Sequence, residues 1–133
     1  MKYIGNKSVP QRRDDAINRI DREADLRHAA IRRGSPHVFL ARHIQAREFL
    51  LSYPTAAAAI LVQSTDWPML AAYAEPVESL WDVAQAIVTA EKTWIAAAAR
   101  IERARLDAHR AIKAATTADA VAAVKPAWPP EPA

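Results

Sequence analysis

A chain of 133 residues has room for one domain that buries roughly two-thirds of its unfolded surface, and although 51% of it is apolar, alanine supplies much of that fraction. Burial per residue is therefore modest, and the four tryptophans weigh heavily in any core. The absence of cysteine excludes disulfides, thiolate nucleophiles and thiolate metal ligands, while a net charge of only +3, spread over interleaved acids and bases, argues for solvated helix faces.

The opening MKYIGNKSVPQRRDD lacks the apolar stretch of a signal peptide, and no segment approaches the roughly 18 uncharged apolar residues that span a bilayer. A soluble chain, not secreted by a signal peptide, is expected. Only Gly5 and Gly34 are available for tight hairpin turns, and alanine favours helices over strands, so the fold class is all-α. Residues 1–8 read as an N-terminal arm, 9–124 as a single helical domain and 125–133 as a Pro-rich tail.

The first helix is expected over residues 9–33. Ser8 and Gln11 have capping-box spacing, Pro10 suits the first turn, and Gly34 supplies a left-handed stop after Arg32 and Arg33. Its apolar stripe is thin, comprising Ile17, Ile20, Ala24 and Ile31, with acid–base pairs four residues apart on the other faces. Ser35 and Pro36 start a second helix at once, with Val38, Leu40, Ala41, Ile44, Phe49, Leu50 and Leu51 as its apolar residues; the pair forms a helical hairpin that closes at Tyr53-Pro54.

Residues 54–66, PTAAAAILVQSTD, fit either a short helix or an extended segment. Thr65 or Asp66 is expected to cap a short helix over Met69 to Ala74, which places Trp67 where an apolar residue staples the turn beneath it. A long C-terminal helix follows, from about Ser79 to Ala115. Its heptad a positions are Leu80, Ile87, Trp94, Ile101 and Ala108, and its d positions Val83, Ala90, Ala97, Ala104 and Ala111, a coiled-coil-like alanine seam facing a row of larger residues. Thr117 caps a last short helix, and KPAWPPEPA leaves as an extended tail. Trp128 within it is either a clip onto the domain or an anchor for a partner.

Catalytic chemistry finds little to stand on. His28, His37, His43 and His109 are dispersed, with no metal-binding spacing, and read as solvated or interfacial. The carboxylates Asp14, Asp15, Asp21, Glu23 and Asp25 each have an arginine nearby and read as surface ion pairs. Two isolated glycines make no phosphate loop. No enzyme activity, cofactor, metal or membrane association is expected. Arg12, Arg13, Arg19, Arg22, Arg27, Arg32 and Arg33 could track phosphates from the first helix, but five acids share it, so nucleic acid is the less favoured partner.

The segment WPMLAAYAEPVESLWDVAQAIVTAEKTWIAAAARIERARLDAHRAIKAATTADAVAAV resembles a helical region of small bacteriophage tail-associated proteins, of the tail-fibre and fibre-assembly type. The residues that carry the resemblance include Trp67, Pro68, Leu70, Val83, Ile87, Trp94, Ile101, Glu102, Arg105, Thr117, Val121 and Trp128, and DDAINRIDREADLRHAAIRR resembles the helix that opens the region. The resemblance implies a non-enzymatic structural component of a phage particle, associated with the tail, tail fibre or baseplate. Such a component acts by helix packing, as many copies or against other virion proteins, in the virion and, during assembly, in the host cytoplasm. Trp67, Trp81, Ile87, Trp94, Ile101 and Trp128 are the candidate packing and interface residues. The alternative is a fibre-assembly chaperone absent from the mature virion, and a third reading is a small DNA-binding regulator.

Overall fold

Capping residues set most of the helix ends. In α1 (Val9–Arg32) the Ser8 N–H donates to Gln11 Oε1 at 2.9 Å and the Gln11 N–H donates to Ser8 Oγ at 3.2 Å, the reciprocal bonds of a capping box. Beyond its C-terminal end Gly34 adopts a φ of 95°, the left-handed conformation that stops a helix. The computed structural model describes residues 7–32 and 34–130. The arm before Lys7, the expected end of the first helix at Arg33 and the last three residues of the Pro-rich tail lie outside the described residues.

α2 (Pro36–Ser52) begins at Ser35, whose backbone is extended but whose hydroxyl makes no capping bond, with proline fixing the first turn. Residues 54–66 resolve the ambiguity of the sequence as two single 3-10 turns, Ala57–Ala59 and Ser64–Asp66, the first supported by Thr55 Oγ1, which accepts from the Ala58 N–H at 3.2 Å. α3 (Pro68–Tyr73) corrects the expected cap. Trp67 itself is the N-cap residue, and neither Thr65 nor Asp66 bonds the first turn. Gln45 on α2 does so instead, its Oε1 accepting from the N–H groups of Met69 (2.9 Å) and Leu70 (3.3 Å). α4 (Leu80–Ala114) starts with the Asp82 N–H donating to Ser79 Oγ at 3.0 Å, and α5 (Ala118–Ala123) with the Ala120 N–H donating to Thr117 Oγ1 at 3.0 Å. Among the described residues there is no strand, and the fold is all-α.

The chain packs as two compact units, the described parts of Met1–Ile31 with Ala97–Ala133, and Arg32–Ala96. α4 contributes its second half to the former and its first half to the latter. In the first unit Ala16 and Ile20 of α1 meet Ala108 and Ile112 of α4, Ala115 and Val121, with Ile17, Val124 and Trp128 packed at the margin. The small side chains let helices approach closely, and Ile20 and Ile112 supply the bulk. In the second unit Phe49 and Leu70 are fully buried among Ala46, Val83 and Ala84. Removing either large side chain leaves a cavity that costs about 2 to 5 kcal/mol.

The expected alanine seam of α4 is interrupted. Ala90 and Ala111 are exposed and Ala97 is half-buried, whereas Ala84, Glu91 and Ile112, each one residue past a d position, are buried. The helix therefore buries a stripe wider than the two-position seam of a coiled coil, the width expected of a helix seated on a globular core.

Candidate functional site

α2 is the element whose surface asks for an explanation, because it is apolar on two opposite sides. Its inward side carries Ala46 and Phe49, both fully buried, and His43, only 3% exposed, whose Nδ1 lies 2.7 Å from the Phe39 carbonyl. Successive residues turn by about 100°, so Leu40, Ile44 and Leu51 fall within about 40° of one another on the side facing away, spread over about 16 Å of helix. They are 55%, 41% and 83% exposed. A helix apolar on both sides ordinarily has both sides covered. Ile60, Leu61 and Val77 of the same unit are also exposed.

The inward side is rigidly built. Trp67 packs edge-on against Phe49, with ring centroids 5.1 Å apart, and against Tyr53 at 6.3 Å. Phe39 contacts Trp94 at 4.9 Å and His43 at 4.1 Å. The Arg42 guanidinium lies over the rings of Phe39 (5.4 Å) and Tyr73 (4.7 Å), so that aromatic faces surround a cation whose Nε has no hydrogen-bond partner among the described residues. Arg47 Nη1 reaches the buried Glu91 carboxylate at 3.5 Å. These contacts hold α2 from one side and leave the Leu40, Ile44 and Leu51 row presented on a fixed support.

In the first unit one network of charged side chains joins α1 to α4. Asp21 Oδ1 accepts from Arg105 Nη1 at 3.3 Å and lies 2.8 Å from His109 Nε2. Glu102 pairs with Arg105 through two bonds, of 2.8 and 3.1 Å, and with His28 at 3.5 Å. The hydrogen bonds from Arg105 hold the Glu102 carboxyl below its ordinary range against the opposing effect of burial, and the same bonds raise the Arg105 guanidinium. The pairing with Asp21 fixes the orientation of the His109 imidazole. No group of three metal-ligating side chains is assembled among the described residues.

Trp128 folds back as a clip. Its indole N–H donates to Glu23 Oε2 at 2.9 Å, and Arg27 lies over its ring at 4.9 Å. The sequence-selected residues thus separate: Trp67, Trp81, Ile87 and Trp94 belong to the second unit, Ile101 and Trp128 to the first. Trp67, Trp81 and Ile87 pack against the Phe49 core, Trp94 against Phe39, and Ile101 is buried. Sequence reasoning missed Gln45 as the α3 cap and Arg13, whose Nε and Nη2 both donate to the Ala115 carbonyl just past the end of α4. Their partners lie 24 and 102 residues away, and no local motif announces them. No family model, curated protein or solved structure matches the chain.

Proposed function

We propose that this chain is a non-enzymatic structural subunit of a bacteriophage particle, associated with the tail, tail fibre or baseplate, which works by packing helix faces against copies of itself or other virion proteins. The observation that carries the packing role is the second apolar row of α2, Leu40, Ile44 and Leu51, exposed opposite the face that builds the core. The phage setting rests on the resemblance carried by Trp67, Trp94 and Trp128.

Magnitudes favour an assembly of many weak contacts. Burying what these three side chains still expose yields roughly 3 to 5 kcal/mol from each partner, whereas association costs an estimated 4 to 15 kcal/mol in lost freedom. One row alone makes a weak pair. Repetition of the contact through a symmetric particle turns weak pairs into a stable whole.

Light scattering on the isolated protein tests the interface, with a variant carrying Leu40→Gln, Ile44→Gln and Leu51→Gln. The wild type should exceed its 14.7 kDa monomer mass as concentration rises, and the variant should stay monomeric with unchanged helicity. A wild type that is monomeric at every concentration, together with a variant that enters particles as readily as the wild type, would remove the reading. A fibre-assembly chaperone predicts instead a soluble complex with a fibre or tail protein in infected cells.

A further inference from the structure

The charges that the sequence interleaves along α1 are sorted by the fold, and what remains on one side is cationic. Lys7, Arg12, Arg19 and Arg22 line an open groove of about 510 Å³ beside α5, whose floor is alanine and Val121. Asp15 is the one carboxylate in the lining, and it pairs with Lys7. Four cations against one acid leave three net positive charges on the groove. The other acids of α1 are drawn elsewhere or lie outside the lining. Asp21 is held by Arg105 and His109, Glu23 accepts from Trp128 through Oε2 and reaches Arg19 only loosely through Oε1, and Asp14 and Asp25 do not reach the groove.

None of the three arginines is held by a tight ion pair among the described residues. Arg12 spends its Nε on the Lys7 carbonyl at 3.2 Å and forms no ion pair among the described residues. Arg19 stands 3.9 Å from Glu23, a loose exposed pair worth little, and Arg22 has no carboxylate partner among the described residues. From Arg12 to Arg22 the helix rises about 15 Å, which at one phosphate per 3.4 Å of axis spans about four phosphates of one strand. The small side chains of the floor let a backbone approach. No aromatic side chain lines the groove among the described residues, so it offers no platform on which bases could stack.

The geometry points to a sequence-independent binding site for the phosphodiester backbone of duplex nucleic acid, formed by Arg12, Arg19 and Arg22 with Lys7 at its end. This goes beyond the packing role and uses none of the residues that carry it. Guanidinium groups recognise phosphate oxygens in pairs, and the lack of base-reading or stacking groups leaves charge as the source of affinity.

Fluorescence anisotropy with a short labelled duplex of random sequence tests it in the full-length protein. Three neutralised phosphates give a slope of log affinity against log salt of about −2.7, so raising salt from about 50 to 200 mM should weaken binding about 40-fold. A variant carrying Arg12→Gln, Arg19→Gln and Arg22→Gln should lose binding. A second variant, with Arg100→Gln, Arg103→Gln and Arg110→Gln, removes the same charge from exposed positions of α4 outside the groove and should keep both affinity and slope. Circular dichroism on both shows whether the helices persist. Equal losses in the two variants would reduce the effect to net charge and overturn the site. So would undetectable binding at low salt, or binding to anionic lipid vesicles in place of DNA.

Discussion

Replacing Gln45 with alanine should unfasten α3. The Gln45 side chain accepts from two N–H groups, of Met69 and Leu70, that no residue of α3 can satisfy, and both bonds are partly shielded from water. Loss of a helix N-cap costs about 1 kcal/mol in typical hosts, and a part-buried donor left unpaired costs about 1 to 3 kcal/mol. Because the Leu70 bond is long at 3.3 Å, we expect about 1 to 2 kcal/mol in total. In a chain of 133 residues that lowers the melting temperature by about 4 to 7 °C. Gln45→Glu keeps the acceptor and places a negative charge at the positive end of a helix, so it should equal or exceed the wild type. Urea unfolding followed by tryptophan fluorescence is a suitable assay, because Trp67, Trp81 and Trp94 all report on the unit that holds Gln45. A Gln45→Ala variant within about 0.5 kcal/mol of wild type, or a Gln45→Glu variant equally damaged, would refute capping across helices.

Three further outcomes can be checked by the same unfolding curves. Gly34→Ala should cost about 1 kcal/mol through the left-handed backbone alone, since an added Cβ meets nothing within 4 Å, and Gly34→Asn should cost less. Trp128→Phe, which keeps the ring beneath Arg27 and loses the N–H to Glu23, should cost about 1 kcal/mol. Trp128→Ala should cost about 2 to 3 kcal/mol and expose the tail to proteolysis. Glu102 has a folded pKa below its ordinary value of 4.5, so the folded state binds fewer protons there than the unfolded one. Its contribution is complete above that value and is lost as pH falls through the folded pKa. Glu102→Gln should accordingly flatten the acid side of a stability–pH profile. The change should be small, because the side chain is 44% exposed to screening solvent.

The parts of the fold that were legible in the sequence are those whose causes are local. Ser8 with Gln11, Ser79 and Thr117 each sit within three residues of the N–H group they bond, and Gly34 needs no partner to turn the chain. Where the determining contact is distant, local reading fails. Local reading points to Thr65 or Asp66 as the α3 cap, whereas the acceptor is Gln45 on another helix. A heptad template admits every seventh position and so puts Ala90 and Ala111 on the seam, whereas the residues buried there are Glu91 and Ile112. For the candidate surfaces, Leu40, Ile44 and Leu51 were visible as apolar residues of α2, yet their separation from Phe49 emerges only once a core has claimed one side. The same holds for α1, whose alternating charges look mutually cancelling until the fold turns Asp21 to Arg105 and binds one Glu23 oxygen to Trp128, leaving Arg19 only a loose pair.

As a proposed part of a particle, the chain should be found in it. Quantitative mass spectrometry of phage particles purified from cells that make the chain tests this directly. Its peptides should be present in mature particles at a fixed ratio to the tail proteins. Their absence from particles, with the protein abundant in the infected-cell lysate, would contradict the proposal.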